Sequence, residues 1–141
     1  MTKLYILHIY YTDDLYKDTY GYRTDIFNSK EKASVFAVKQ LMKKILERCM
    51  DKGKFSASLF LEREIIDYGD KYEKFFDKSD EQLDKLKNEL LDMYIQDMYD
   101  ELYEDDEYTA SIGCHDYEVT ITEIDSDKVE HDRLLIYEHW H

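Results

Sequence analysis

The sequence of 141 residues contains no proline, only four glycines and two cysteines, and no long apolar run. Because the glycines are isolated from one another, no loop can bring consecutive backbone amides around a phosphate, which excludes the common nucleotide-binding loops. Two cysteines are too few for a disulfide framework and are typical of a reducing compartment. No stretch reaches the roughly 18 apolar residues of a membrane helix, so we expect a soluble, cytoplasmic protein.

Basic residues are absent from one long segment. Residues 88–127 contain 14 Asp or Glu and no Lys or Arg. Subtracting those 14 from the 33 acids of the chain leaves 19, which equals the 19 Lys and Arg, so this segment carries the whole formal net charge of -14. Such a charge repels phosphates, and we therefore expect no direct binding of DNA or RNA.

Chain length and apolar content predict one folded domain. A domain of this size buries roughly two-thirds of its unfolded surface, and 43% of the residues are hydrophobic, among them 14 Tyr and 6 Phe. No proline-rich or Gly/Ser-rich linker and no internal repeat interrupts the chain. We therefore expect a single α+β domain over residues 1–141.

Strands are predicted near both ends of the chain. The aromatic and β-branched runs Lys3–Tyr11 and Tyr20–Phe27 predict an opening hairpin across an Asp-rich turn. From Tyr117 to Ile124 apolar and polar residues alternate as in a half-buried strand. Thr109–Asp116 is predicted to be a loop, and Leu134–Tyr137 a last strand.

Two long helices are predicted between these strands. Ser29 is a suitable N-cap for a helix that ends at Gly53, and Ser79 with Gln82 forms a capping box that opens a second helix. Residues 54–76 fit both a strand and a helix pattern, and helix is favoured. The predicted fold is a mainly antiparallel sheet, formed by the N-terminal hairpin and the C-terminal strands, packed against two long helices.

No catalytic signature is present. With 33 acids in the chain, carboxylate pairs carry little information about acid–base chemistry. Cys114 and His115 adjoin, and His131, His139 and His141 lie near the C-terminus, so donors that zinc prefers are available. Their spacing lacks the usual paired-ligand pattern. We assign no catalytic residue, no cofactor and no metal ligand, and a metal protein or enzyme using these residues stays open as an alternative.

The segment YIQDMYDELYEDDEY, residues 94–108, is the densest part of the acidic region, with seven acids, four tyrosines and no base. If helical, its charges lie roughly one per 2 Å, close to the ~1.7 Å per charge of duplex DNA. Such a surface attracts a basic groove, and the tyrosines add contact area. The predicted partner-binding residues are Asp97, Asp100, Glu101, Tyr103, Glu104, Asp105, Asp106 and Glu107.

Two N-terminal stretches carry a resemblance. LYILHIYYTDD and DIFNSKEKASVFAVKQLM resemble the start of small accessory proteins of phages and large DNA viruses, in which a hairpin leads into a Ser-capped helix. The resemblance covers the N-terminal third only and brings no catalytic residues with it. It implies a role in blocking a host defence protein, as small acidic viral proteins such as anti-CRISPR and anti-restriction DNA mimics do.

Three interpretations of function follow from these observations. We expect a non-enzymatic acidic protein that engages a basic site on a protein partner, in the host cytoplasm if the chain is viral. The acids also suit the solvated face of an amphipathic helix that only keeps the protein soluble. A structural or assembly protein, whose apolar surface forms a homo-oligomer, is a further alternative.

Overall fold

The computed structural model describes residues 3–13, 20–65 and 70–125. In chain order the elements are β1 (Lys3–Asp13), β2 (Tyr20–Phe27), α1 (Lys30–Arg48), β3 (Met50–Asp51), β4 (Lys54–Phe55), α2 (Ala57–Glu64), a 3₁₀ helix (Asp70–Phe75), α3 (Asp80–Asp105), β5 (Glu107–Ile112) and β6 (His115–Asp125). The larger sheet is antiparallel with strand order β2-β1-β6-β5, and β3 and β4 form a separate hairpin. The predicted α+β class, with an antiparallel sheet and two long helices, is confirmed.

The chain forms two compact units, one of residues 1–38 and 99–141 and the other of residues 39–98. Both boundaries fall inside a long helix, the first within α1 and the second within α3. Because a boundary inside a helix needs no linker, no change of composition marks it in the sequence.

The first unit contains the four-stranded sheet, with β1 at its centre. In the pairing of β1 with β6, Leu7 lies opposite Ile121 and Ile9 opposite Val119. Side chains alternate between the two faces of a strand, so these four share one face, and all four are buried. The first half of α1 and the last turns of α3 add further buried side chains to this unit, namely Ala33, Ala37, Val38 and Leu102.

The second unit is largely helical. Its centre includes Phe60, which meets the ring of Tyr94 edge-to-face at 5.0 Å between centroids. The second half of α1 is buried here at Leu41, Met42 and Ile45, and Cys49, which directly follows the helix, is buried as well. At the rim Arg48 Nη1 donates to Glu64 Oε1 at 2.8 Å, and burial raises the pKa of the Glu64 carboxyl.

The predicted starts of both long helices are confirmed. Ser29 Oγ accepts a hydrogen bond from the amide of Lys32 at 3.0 Å at the start of α1. At the start of α3 the capping box is reciprocal: Ser79 Oγ accepts from the amide of Gln82 at 3.2 Å, and the Ser79 amide donates to Gln82 Oε1 at 3.0 Å. Each contact satisfies an amide that the first helical turn leaves without a backbone acceptor.

The predicted end of the first helix at Gly53 is wrong. The helix ends at Arg48, and the chain continues into the β3–β4 hairpin, where Asp51 pairs with Lys54. Lys52 and Gly53 form its two-residue turn, with φ of 53° and 79°. Positive φ at both central positions is the signature of a type I′ turn, so the glycine serves a hairpin and not a helix end.

Two other predicted segments differ from the structure. Residues 54–76, whose pattern fits both strand and helix with helix favoured, begin with the two-residue strand β4 and continue into two short helices, α2 and the 3₁₀ helix, where a single helix was one of the options. The predicted loop Thr109–Asp116 is also wrong, because β5 runs to Ile112 and β6 starts at His115. Residues of β5 pair with β6 from Glu107↔Thr120 to Ile112↔His115. This pairing makes the segment a strand, although its local sequence does not indicate one.

Several predictions fall outside the described residues. The Asp-rich turn after β1, the proposed strand Leu134–Tyr137, and the histidines His131, His139 and His141 all lie there.

Replacing Lys52 by Asn should stabilise the protein. At a φ of 53° the Cβ atom of Lys52 is crowded by the backbone, and Asn adopts this left-handed conformation at a lower energy than lysine does. We expect the free energy of unfolding to rise by about 0.5 kcal/mol in urea denaturation. The exposed Lys54 of the neighbouring strand gives a matched control: Lys54→Asn removes the same charge outside the turn and should bring no gain.

Candidate functional site

The C-terminal end of α3 carries exposed acids and no base. Asp100, Glu101, Glu104 and Asp105 are all exposed, and the last turn of the helix contains no basic residue. At ~100° per residue these four lie within an arc of about 140°, and the fully buried Leu102 lies outside it. The helix end itself carries partial negative charge from its unpaired carbonyls. The acids and the helix dipole therefore repel each other.

Asp97 is separated from this group. It belongs to the second unit, where it forms an ion pair with Lys71 and its Oδ2 accepts a hydrogen bond from the Tyr72 hydroxyl at 2.5 Å. The acidic segment itself contains no base, but Lys71, which precedes the segment in the chain, offsets the charge of this residue. Asp97 has a local structural role.

Asp106 ends the helix in a left-handed conformation, with φ of 61°. Its amide donates to the Leu102 carbonyl at 2.9 Å, and its own carbonyl accepts from the Ile121 amide at 2.8 Å. Its carboxylate forms an ion pair with Lys30 Nζ at 2.5 Å, and this hydrogen bond raises the pKa of Lys30. Asp106 thus joins the helix end to the sheet, and among the predicted partner-binding residues it is, after Asp97, the second that forms an ion pair with a lysine.

Tyr103 is the aromatic member of the predicted site and is 42% exposed. Its ring stacks on Tyr99 at 5.7 Å between centroids with an interplanar angle of 16°. Lys30 Nζ lies 4.8 Å from the Tyr103 centroid, which is a cation–π distance. Both contacts fix the ring while leaving part of it accessible to a partner.

The structure therefore brings most of the predicted residues into one unit. Glu107 starts β5, opposite Thr120 of β6, and is exposed. Among the residues that the structure describes, none forms an ion pair with Glu101, Glu104, Asp105 or Glu107. We call the following set the acidic surface: Asp100, Glu101, Tyr103, Glu104, Asp105, Asp106 and Glu107.

A second group of reactive side chains lies in the same unit. Asp13, Cys114 and His115 each offer one donor atom, and these three atoms lie within 4.8 Å of one another. His115 Nε2 is 3.6 Å from Asp13 Oδ2, and Cys114 Sγ is 3.9 Å from His115 Nδ1. The neighbouring positions of Cys114 and His115 are visible in the sequence, whereas Asp13 lies about 100 residues away and joins them only through strand pairing. We call these three residues the hairpin cluster.

The His115 ring is held by aromatic neighbours. Tyr11 meets it edge-to-face at 5.4 Å between centroids, and Tyr117 lies at 6.3 Å. Tyr11 in turn lies over Gly21, its partner on β2, where a side-chain methyl would overlap the tyrosine ring. Gly21 therefore makes room for the ring that positions His115.

In the described part of the chain, no helix has both the length and the apolar content needed to cross a membrane. No protein-family model, curated protein or solved structure matches this chain, so the chemistry of the acidic surface and the hairpin cluster carries its functional interpretation.

Proposed function

We propose that this chain is a non-enzymatic binding protein whose acidic surface occupies a basic site on a protein partner, in place of nucleic acid. The observation that carries the proposal is the concentration of exposed carboxylates at the C-terminal end of α3, of which Glu101, Glu104 and Asp105 form no ion pair with any residue that the structure describes. Folding alone disfavours this placement, whereas a cationic partner favours it.

The electrostatic cost of the helix end supports this proposal. An acid near the C-terminus of a helix is destabilising by about 0.3–1 kcal/mol. Like charges one turn apart, such as Asp100 with Glu104 and Glu101 with Asp105, add a few tenths of a kcal/mol per pair. A purely solvating face would gain stability from lysines placed one turn away from its acids, and the last turn of α3 contains no basic residue.

The charge spacing indicates the class of partner. Asp100 to Asp105 covers about 7.5 Å of helix and carries four carboxylates, roughly one per 2 Å, which is close to the phosphate density of duplex DNA. A basic groove that binds nucleic acid matches such a row. The fixed and partly exposed ring of Tyr103 adds a surface on which an arginine can stack.

The resemblance of the N-terminal third to accessory proteins of phages and large DNA viruses suggests which partner the acidic surface binds and where. On that resemblance, the partner we propose is a nucleic-acid-handling defence protein of a host cell, and the place of action is the host cytoplasm. Electrostatic steering would speed the encounter and make it sensitive to salt.

Affinity capture from a candidate host lysate, followed by mass spectrometry, tests this function. We expect the retained protein to bind DNA or RNA, to elute as salt is raised, and to be displaced by a short DNA duplex. In the reverse assay, the chain should displace a labelled duplex from the purified partner. A retained protein that neither salt nor DNA displaces would contradict the proposal, because its contact would not use the nucleic-acid site.

A further inference from the structure

We propose that Asp13, Cys114 and His115 form a zinc-binding site at the tip of the β5–β6 hairpin. The proposal is independent of the acidic surface, because it concerns different side chains and a different ligand. Each residue supplies one donor of a type that zinc accepts: a carboxylate oxygen, a thiolate sulfur and an imidazole nitrogen.

Backbone pairing explains why the three side chains meet. Asp13 ends β1, and His115 is its direct partner at the start of β6. Directly paired residues of antiparallel strands place their side chains on the same face about 5 Å apart. Gly113 and Cys114 form the two-residue turn between β5 and β6, and Gly113 has a φ of 67°. Cys114 directly precedes His115. Two of the three ligands, Asp13 and His115, therefore lie in paired strands, and Cys114 lies in the short turn that joins β5 to β6.

One donor atom from each residue lies near enough to the others to reach a single zinc ion when the side chains rotate. Zinc–sulfur bonds of ~2.3 Å and zinc–nitrogen or zinc–oxygen bonds of ~2.0–2.2 Å place tetrahedral ligands about 3.4–3.6 Å apart. The separation between His115 Nε2 and Asp13 Oδ2, 3.6 Å, already matches this spacing. The Cys114 sulfur lies 3.9 Å from the other ring nitrogen, His115 Nδ1, and a zinc ion binds only one nitrogen of the ring. With one donor atom taken from each residue, the three atoms lie within 4.8 Å of one another, so side-chain rotation must bring the sulfur closer to the ligating nitrogen.

The donor set selects the metal. Magnesium and calcium prefer oxygen ligands alone, whereas a thiolate and an imidazole together are typical of zinc. Three protein ligands leave the fourth tetrahedral position to a water molecule or a ligand group.

The surroundings support ligation. The Asp13 side chain is 15% exposed and that of His115 is 35% exposed, so the donors are partly shielded while an ion still has access. Tyr11 limits rotation of the His115 ring, and fixed ligand orientation strengthens metal sites. Gly21 contributes indirectly, because its lack of a side chain leaves space for the Tyr11 ring.

The rate at which Cys114 is alkylated reports whether the proposed site holds a metal ion. Both cysteines are free, but Cys49 is buried and burial raises its pKa to about 11. Cys114 is partly exposed. Iodoacetamide should therefore modify Cys114 in the native protein and reach Cys49 only after unfolding. Bound zinc should slow the Cys114 reaction.

The test is titration of the reduced full chain with zinc chloride by calorimetry and with cobalt chloride by absorbance. We expect one ion per chain, a thiolate-to-cobalt charge-transfer band, and slower alkylation of Cys114 in zinc. Cys114→Ser, His115→Asn and Asp13→Asn should each weaken zinc binding about 10-fold or more. Asp116→Asn is the matched control, since it removes the same charge from the same hairpin on the opposite face, and it should bind as the unmodified chain does.

Circular dichroism of each variant separates loss of a ligand from loss of folding. Cys114→Ser is the variant that decides, since it replaces one atom in a turn. A folded Cys114→Ser protein that binds zinc as tightly as the unmodified chain, or cobalt binding with no thiolate band, would overturn the site.

Discussion

Gly21→Ala should destabilise the protein by about 1–3 kcal/mol, because it forces overlap in a filled part of the sheet. A methyl group at this position would lie 1.8 Å from Cε1 and 2.0 Å from Cζ of Tyr11. The Tyr11 ring cannot simply move aside, because it packs against Tyr117 at 5.3 Å between centroids and against His115 at 5.4 Å. Without such overlap, Gly→Ala usually stabilises by about 0.4–1 kcal/mol. A lower free energy of unfolding in Gly21→Ala would therefore indicate steric overlap, and a higher one would indicate that the methyl group is accommodated.

A double-mutant cycle isolates this contact. In a Tyr11→Ala background the ring is absent, and Gly21→Ala should then be neutral or stabilising in urea denaturation. If Gly21→Ala costs the same free energy with and without the Tyr11 ring, the steric explanation is wrong. Weaker zinc binding by Gly21→Ala than by the unmodified chain would also link this contact to the hairpin cluster.

The double variant Glu101→Gln/Glu104→Gln should be more stable than the unmodified chain, by about 1–2 kcal/mol. Two charges leave the negative end of α3, and the repulsion with Asp100 and Asp105 is removed. Gln and Glu have similar helix propensities, so the substitution changes charge with little effect on the backbone. The gain should shrink at high salt, which screens exposed charges.

The opposite end of the same helix provides the control. Asp80 and Glu81 lie in the first turn of α3, where the dipole favours negative charge. Asp80→Asn/Glu81→Gln removes the same two charges and should lower the free energy of unfolding by about 0.5–2 kcal/mol. Equal shifts of the same sign at both ends would show that total charge, and not the helix end, governs stability.

Local sequence signals predicted the helix starts and the central strands well. The capping box of Ser79 and Gln82 and the N-cap Ser29 are contacts within one helical turn, so nearby residues determine them. The alternating pattern of Tyr117 to Ile124 likewise reports a strand with one buried face. Gly53 was misread because a helix end and a type I′ turn both favour glycine at positive φ. Choosing between them requires the pairing of β3 with β4.

Contacts between distant residues could not be predicted in the same way. Lys30 and Lys71 neutralise Asp106 and Asp97, yet neither lysine lies in the acidic segment. Asp13 joins Cys114 and His115 only because β1 pairs with β6. The sequence around Asp13 does not distinguish it from the other acids of the chain, which number 33 in all. The pairing of β1 with β6 is needed to identify its role.

The most direct test of the central claim compares capture of the basic partner by three proteins at matched concentrations. Glu101→Gln/Glu104→Gln should lose about 10-fold or more in affinity while folding more stably, whereas Asp80→Asn/Glu81→Gln, with the same net charge, should bind as the unmodified chain does. If the acidic surface binds the partner, affinity should fall while stability rises when charge is removed from the C-terminal end of α3. Unchanged affinity in the Glu101→Gln/Glu104→Gln variant would contradict it.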